Sequence, residues 1–254
     1  MSNPRRFRDR TQVHEQVDEV TKFKPSYYSA KFLAVSSQHM DIANGSTTGL
    51  NLAGNATWEF WLKLTTLPAD SSAFVVMNKG PFYPDWAGLN YMIGIYNDAT
   101  DYNIQFYGGD GGSTGNHSQI WSPVLSPTIS AGVWYHIAVS YASTAGTLKF
   151  YVNGAQLGSD VATVSTHATS TDAFLMGYFA YGGNNYLNGQ VASIRIWNTT
   201  RSITEISNNM SICIPSATGL VASWVFPSQA LTDASGNNNT LVNTGATFLL
   251  DMPF

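Results

Sequence analysis

Thr57-Trp58-Glu59-Phe60-Trp61-Leu62-Lys63-Leu64 alternates with period two. Trp58, Phe60, Leu62 and Leu64 fall on one face, and Thr57, Glu59, Trp61 and Lys63 on the other. That is the pattern of a strand with one face on a core. Working outward, Tyr91 to Tyr96 and Tyr102 to Tyr107 form two more strands about the turn Asn97-Asp98-Ala99-Thr100-Asp101. From Trp134 to Tyr141, Tyr135, Ile137, Val139 and Tyr141 alternate with Trp134, His136, Ala138 and Ser140. Leu148, Phe150 and Val152 line one face of a strand that runs into Asn153-Gly154, a pair suited to a type I′ hairpin because both turn positions need positive φ. Ala192, Ile194 and Ile196 alternate with Val191, Ser193, Arg195 and Trp197, and a late strand runs from Gly219 to Phe226. After the turn Asp233 to Asn239, a last strand lies near Thr247–Leu250. One helix is expected: Ser202-Ile203-Thr204-Glu205 reads as a capping box, followed by Ile206 and Met210 on the face of Ile203. About a dozen strands, one short helix and no repeat imply an all-β sandwich of two antiparallel sheets.

The composition divides the chain in two. Of 254 residues, 12 are Lys or Arg and 16 are Asp or Glu, so 11% are charged, against about 25% in an ordinary soluble domain. Residues 1–25 hold six of the basic side chains (Arg5, Arg6, Arg8, Arg10, Lys22 and Lys24) and four acidic ones. The remainder is charge-poor, with 44% hydrophobic and 13% aromatic residues over the whole chain. A basic nucleic-acid-binding body is excluded, since phosphate contacts need many cations on one face. So is a disordered body. Residues 1–25 are expected to be an extended N-terminal arm that orders on a partner, and residues 26–254 one folded domain. No apolar stretch follows the arginines and none approaches the ~18 residues of a membrane span. Synthesis in a cytoplasm without signal-directed export is therefore expected. The single cysteine, Cys213, excludes an internal disulfide framework and is expected to be a small buried apolar residue.

The order of the segments resembles laminin G-like domains. The carriers are Ala56 to Lys63, then Gly132 to Val139, then Lys149 to Gly154. Leu187 to Asn198 is similar to the family's closing strand, and Arg201 to Ile206 to its short helix. Gln38 to Ile42 is similar to its opening strand, while Leu220 to Trp224 with Asp233 to Asn239 resembles a common flanking segment. The resemblance covers about residues 30–248 and implies the concanavalin A-like jelly roll shared with pentraxins, legume lectins and some glucanases. Where family members often carry an acidic pair, this chain has Ala192 and Ser193, which lowers the expectation of bound calcium. Asp233, Ser235 and Asn237 offer oxygen ligands for a structural calcium, against the plainer reading of an Asx-type turn.

Glucanases on this fold need paired carboxylates roughly 5–9 Å apart. The four Glu are Glu15, Glu19, Glu59 and Glu205. Two lie in the arm, one is isolated on a strand and one is in the capping box, so glycoside hydrolysis is not expected. The five His share no metal-ligand spacing; His136 is expected to make a structural hydrogen bond. Gly108 to Gly112 lacks the lysine and the following helix of a phosphate loop.

Recognition is what remains. Three loops mix aromatics with amides and carboxylates: Tyr83, Asp85 and Trp86; Asp110 and Asn116, with His117; and Tyr181, Asn184, Asn185 and Tyr186. Such residues suit a glycan site, and equally a protein–protein rim or plain jelly-roll loops. The expectation is a non-enzymatic structural or adhesion protein of a large assembly. A phage virion component, as head decoration or tail-attached protein, is the leading form. Capsid or other virion proteins would hold the arm, the domain would face outward toward cell-surface glycans, and the protein would be a homo-oligomer. A free carbohydrate-binding lectin is the alternative, and a glycoside hydrolase the third.

Overall fold

The computed structural model describes residues 27–80, 88–109, 117–125, 128–163, 167–179, 185–214 and 216–254. The expected arm, residues 1–25, lies outside them. The strands are β1 (Ser29–Phe32), β2 (His39–Ile42), β3 (Ala56–Leu64), β4 (Ser72–Lys79), β5 (Tyr91–Asn97) and β6 (Tyr102–Gly109). Then come β7 (His117–Trp121), β8 (Trp134–Ala142), β9 (Thr147–Val152), β10 (Ala155–Gln156), β11 (Val161–Ala162) and β12 (Phe174–Met176). After β13 (Gly189–Trp197) comes the only α-helix among the described residues, α1 (Ile203–Asn209), followed by β14 (Leu220–Trp224), β15 (Val242–Thr244) and β16 (Thr247–Leu249).

These strands form two antiparallel sheets. One has the order β10-β9-β8-β3-β13-β1-β16, with β11 beside β9 and β14 beside β13. The other has the order β15-β2-β12-β4-β5-β6-β7. Between them sits the core expected from the alternation: Trp58, Phe60, Leu62, Ile137, Val139, Phe150, Ile194 and Ile196 from the first sheet, facing Ile93, Ile95, Ile104 and Phe106 from the second. Trp58 spans the gap, with its ring centroid 4.9 Å from Tyr91 and 5.5 Å from Phe106. Burial of such aromatic area is the dominant favourable contribution to folding.

Local signals read from the sequence are realised in detail. Asn153 and Gly154 have φ of 49° and 78°, the left-handed pair that a two-residue hairpin between β9 and β10 demands. At α1, Ser202 accepts from the Glu205 N–H while the Glu205 carboxylate accepts from the Ser202 N–H, completing the capping box.

Four expectations are revised. Sixteen strands are present among the described residues rather than about a dozen; most of the additional ones are short. In β13 the strict alternation breaks, because the register against β3 shifts between Ala192 and Arg195 and Ser193 takes a φ of 47°. This bulge puts Val191 on the core face with Ile194, whereas Ala192 pairs with Trp61 on the outer face. The nominally polar face of β3 is also buried: Thr57, Glu59 and Trp61 are all covered. The cover is α1 and its flanks, since the Trp61 indole donates to the Met210 carbonyl (2.7 Å) and Ile206 packs on Ala138 and Tyr151. Cys213 is half-buried rather than buried, beside the Tyr27 hydroxyl, whose pKa is raised first by burial and then by Cys213.

Candidate functional site

The two outer faces differ in what they do. Beneath α1, Glu59 is fully buried and both carboxylate oxygens are engaged. Oε1 accepts from the Trp197 indole (2.6 Å) and Oε2 from Arg195 Nη2 (3.1 Å). Arg195 Nη1 donates to the carbonyls of Asn209 (2.9 Å) and Ile212 (3.1 Å), which ties down the end of α1 and the turn that follows it. Burial raises the Glu59 carboxyl, while Arg195 and the Trp197 indole pull it back. His136 Nε2 stands 3.6 Å from Glu59 Oε2, beyond hydrogen-bond range. The hydrogen bond expected of His136 is made instead by its main-chain N–H, to Asn153 Oδ1 (2.9 Å). Burial, with the Arg195 charge beside it, pushes the ring down to about 3. This cluster is a closed structural lock with no access for a substrate.

The outer face of the seven-stranded sheet is partly covered and holds a cavity. Tyr91, Ile93 and Ile95 of β5 point into the core, so Met92, Gly94 and Tyr96 point out. On β6, Ile104 and Phe106 point in, and Asn103, Gln105 and Tyr107 point out. The register sets Val75, Gly94, Gln105 and Trp121 in one row across four strands. Phe179 packs over Val75, Leu89 and Met92 as a small second cluster. The result is a cavity of about 260 Å³ whose lining includes Ser71, Met92, Tyr96, Gln105, Tyr107 and Asn185. Beside it the Tyr96 and Trp121 rings stack at 5.3 Å and 5°, and Trp121 is 45% exposed. No side chain of the described lining is charged.

The loops singled out in the sequence are rooted around this face. Gly80 and Leu89 bracket the β4–β5 loop, Gly109 and His117 pair at the base of the β6–β7 loop, and the Gly109 N–H donates to the Leu89 carbonyl (2.7 Å). Tyr83, Asp85, Trp86, Asp110, Asn116, Tyr181 and Asn184 themselves lie outside the described residues. Asn185 lines the cavity. Tyr186 stacks on Tyr178 (4.4 Å, 15°), which in turn lies 5.4 Å from the His39 ring. Sequence reasoning missed Tyr96, Gln105 and Trp121. The available signal was the pair of aromatics, Tyr96 and Tyr107, on the second face of β5 and β6.

The oxygens proposed for calcium are directed to the chain's own groups. Asp233 Oδ1 accepts from the Ser223 and Ser235 amides, and Oδ2 from the Ser235 hydroxyl and the Asn239 amide. Asn237 Nδ2 donates to the Val221 carbonyl (2.9 Å). One carboxylate so engaged, in a turn with no second acid, does not fit a calcium site of several oxygen ligands; the arrangement is an Asx-type turn. Among the described residues no group of three or more His, Cys, Asp or Glu is placed to hold a metal. Nor, among them, is any helix long and apolar enough to cross a membrane.

Comparison with solved structures places this architecture among known ones. A candidate carbohydrate-binding protein from Bacteroides ovatus superposes with a TM-score of 0.64 at 17% identity, over 89% of this chain and 60% of that one. The chain thus spans about three-fifths of the length of that protein. The heptameric SAP-like pentraxin of Limulus polyphemus matches with a TM-score of 0.59 at 15% identity, over 88% of this chain and 94% of that one. The enzymatically active domain of tailspike protein 2 from bacteriophage CBA120 matches with a TM-score of 0.51 at 13% identity, over 83% of this chain and 35% of that one. No curated protein matches significantly in sequence. A laminin G-type family model, described as concanavalin A-like lectin/glucanases superfamily, matches residues 35–207. With two antiparallel sheets, a single α-helix among the described residues and that match, the chain belongs to the concanavalin A-like lectin/glucanase superfamily.

Proposed function

We propose that this chain is a non-enzymatic recognition protein that binds glycans on the outer face of its seven-stranded sheet. The observation that carries the reading is the exposed Trp121 stacked on Tyr96 beside a 260 Å³ cavity. A flat aromatic face packs on the C–H surface of a sugar ring, while Gln105, Asn185 and Ser71 supply groups that bond hydroxyls. Binding rather than catalysis is supported by the lining, which among the described residues offers no carboxylate or imidazole for proton transfer, and by the enclosure of Glu59 beneath α1. The fold shared with the B. ovatus protein is consistent with this reading.

Within that function, the Arg-rich segment 1–25 attaches the domain to a large assembly, a phage virion, as a decoration or tail-attached component. This part rests on the contrast between six basic side chains in 25 residues and six in all the rest; the fold shared with a tailspike domain is in keeping with it. Screening the full chain on a glycan array, beside Trp121→Ala, tests the binding function. Retained fold with binding lost, by about tenfold or more, is expected of the variant; equal binding would refute the site. Deleting residues 1–25 should abolish incorporation into particles and leave a folded body, and unchanged incorporation would refute the attachment role.

A further inference from the structure

We infer that the ligand of this face is a neutral glycan, bound without calcium. The inference rests on the glycan-binding reading above and names its substrate class. Between Lys63 and Arg195 the chain carries only two cationic side chains other than His, Lys79 and Lys149. Neither serves the outer face of the seven-stranded sheet. Lys79 is fully buried, with its ammonium donating to the carbonyls of Ser170 and Asp172. Lys149 lies on β9 of the other sheet, 3.3 Å from Asp160. The loops of residues 81–87, 110–116 and 180–184 add no Lys or Arg in their sequences.

Among the described residues, what charge the face has is negative and at its rim. Ser72 pairs with Asn97, so the β5–β6 hairpin turn with Asp98 and Asp101 borders the Ser71 end of the cavity. Asp70 adjoins it, accepting from Asn97 Nδ2 (3.3 Å). A sialylated, uronate, sulfated or phosphorylated glycan would meet these carboxylates with no guanidinium or ammonium among the described residues to pair it. Like charge brought together in this way selects against a ligand. A neutral ring gives up nothing on such a surface: its apolar face covers Trp121 and its hydroxyls exchange water for Gln105, Asn185 and Ser71. The cavity, at about 260 Å³, is smaller than the about 300–1,000 Å³ that enclose drug-sized ligands, and so suits one sugar unit of a chain running across the aromatic platform.

Calcium has no part because the described lining has no acid to hold it. At the rim, Asp98 Oδ1 is already occupied by the Thr100 and Asp101 amides and the Thr100 hydroxyl, and no group of three or more His, Cys, Asp or Glu among the described residues is placed to hold a metal.

The test is an array of the full chain on neutral probes (maltohexaose, cellohexaose, N-acetylglucosamine oligomers, galacto-oligosaccharides) and acidic ones (sialyllactose, oligogalacturonate, heparin), with calcium and with EDTA. Ser71→Lys, an exposed position on the lining, is run in parallel. The expected result is binding confined to neutral probes, unchanged by EDTA, lost in Trp121→Ala, with acidic probes gaining in Ser71→Lys. Binding confined to acidic probes, or abolished by EDTA, overturns this inference and leaves the glycan-binding reading standing. Silence of the folded wild-type chain on every probe overturns that reading, and the inference with it.

Discussion

Arg195 joins β13, the end of α1 and Glu59 through one guanidinium, with partners at 2.9 to 3.1 Å. Truncating one member of a buried ion pair leaves the other unpaired, which typically costs about 3–5 kcal/mol. Arg195→Ala is therefore expected to lower stability by about that much in chemical denaturation, with glycan binding of the surviving folded fraction unchanged. In the Glu59→Gln background the same change should cost less, because no buried charge is abandoned. A second residue-scale consequence concerns His167. Its ring is buried against Tyr141 (4.0 Å, 12°), lacks a hydrogen-bond partner among the described residues, and is pushed by burial down to about 4. Below its ordinary value of 6.5 the unfolded chain binds a proton that the folded chain refuses. Stability is therefore full above about pH 6.5 and falls as pH drops toward 4, by at most about 3 kcal/mol for this group. His136 adds a loss of the same sign, extending to about pH 3. His167→Phe keeps the stacked ring and removes the proton. Its unfolding free energy should decline less than the wild type's between pH 7 and pH 5, and parallel pH curves would count against this account.

At the scale of elements, α1 matters more than its seven residues suggest, because it seals the outer face of β3, β8 and β13. Ser202→Ala removes the oxygen that caps the Glu205 amide and should cost about 1 kcal/mol, read as a lowered denaturation midpoint with unchanged slope. Elements whose fate is decided locally were legible in the sequence. The capping box, the Asn153-Gly154 turn and the alternation of β3, β8 and β9 need only near neighbours along the chain. The bulge at Ser193 was not legible, since it exists only in the pairing of β13 with β3. β4 was obscured in the same way: its register against β5 shifts between Val75 and Met77, so Val76 and Met77 both face the core and the period of two is lost. The burial of Glu59 also escaped, because what covers it arrives from residues about 150 positions away along the chain, such as Met210.

For the whole molecule, the sheets divide the work. One carries its outer face under α1 and the C-terminal segment, where Phe254 packs on Trp61 (6.0 Å) and Asp251 takes hydrogen bonds from Lys63 and Trp134. The other sheet holds, on its outer face, the cavity and the exposed Trp121. Sequence reading looked for a site in loops because their composition was distinctive, and it reached Asn185 by that route. The platform itself could not be read in this way. Tyr96 and Trp121 come from strands two apart in the sheet, and only the register of β5, β6 and β7 brings them together. The side-chain indole resonances of the seven tryptophans provide the most direct test of the central claim. They are followed in a ¹⁵N correlation spectrum of the full chain during titration with the neutral oligosaccharides of the array. The account predicts that the Trp121 indole shifts with saturation while those of the fully buried Trp58, Trp197 and Trp224 stay in place. Saturable binding that moves other indoles and leaves Trp121 unmoved would contradict it.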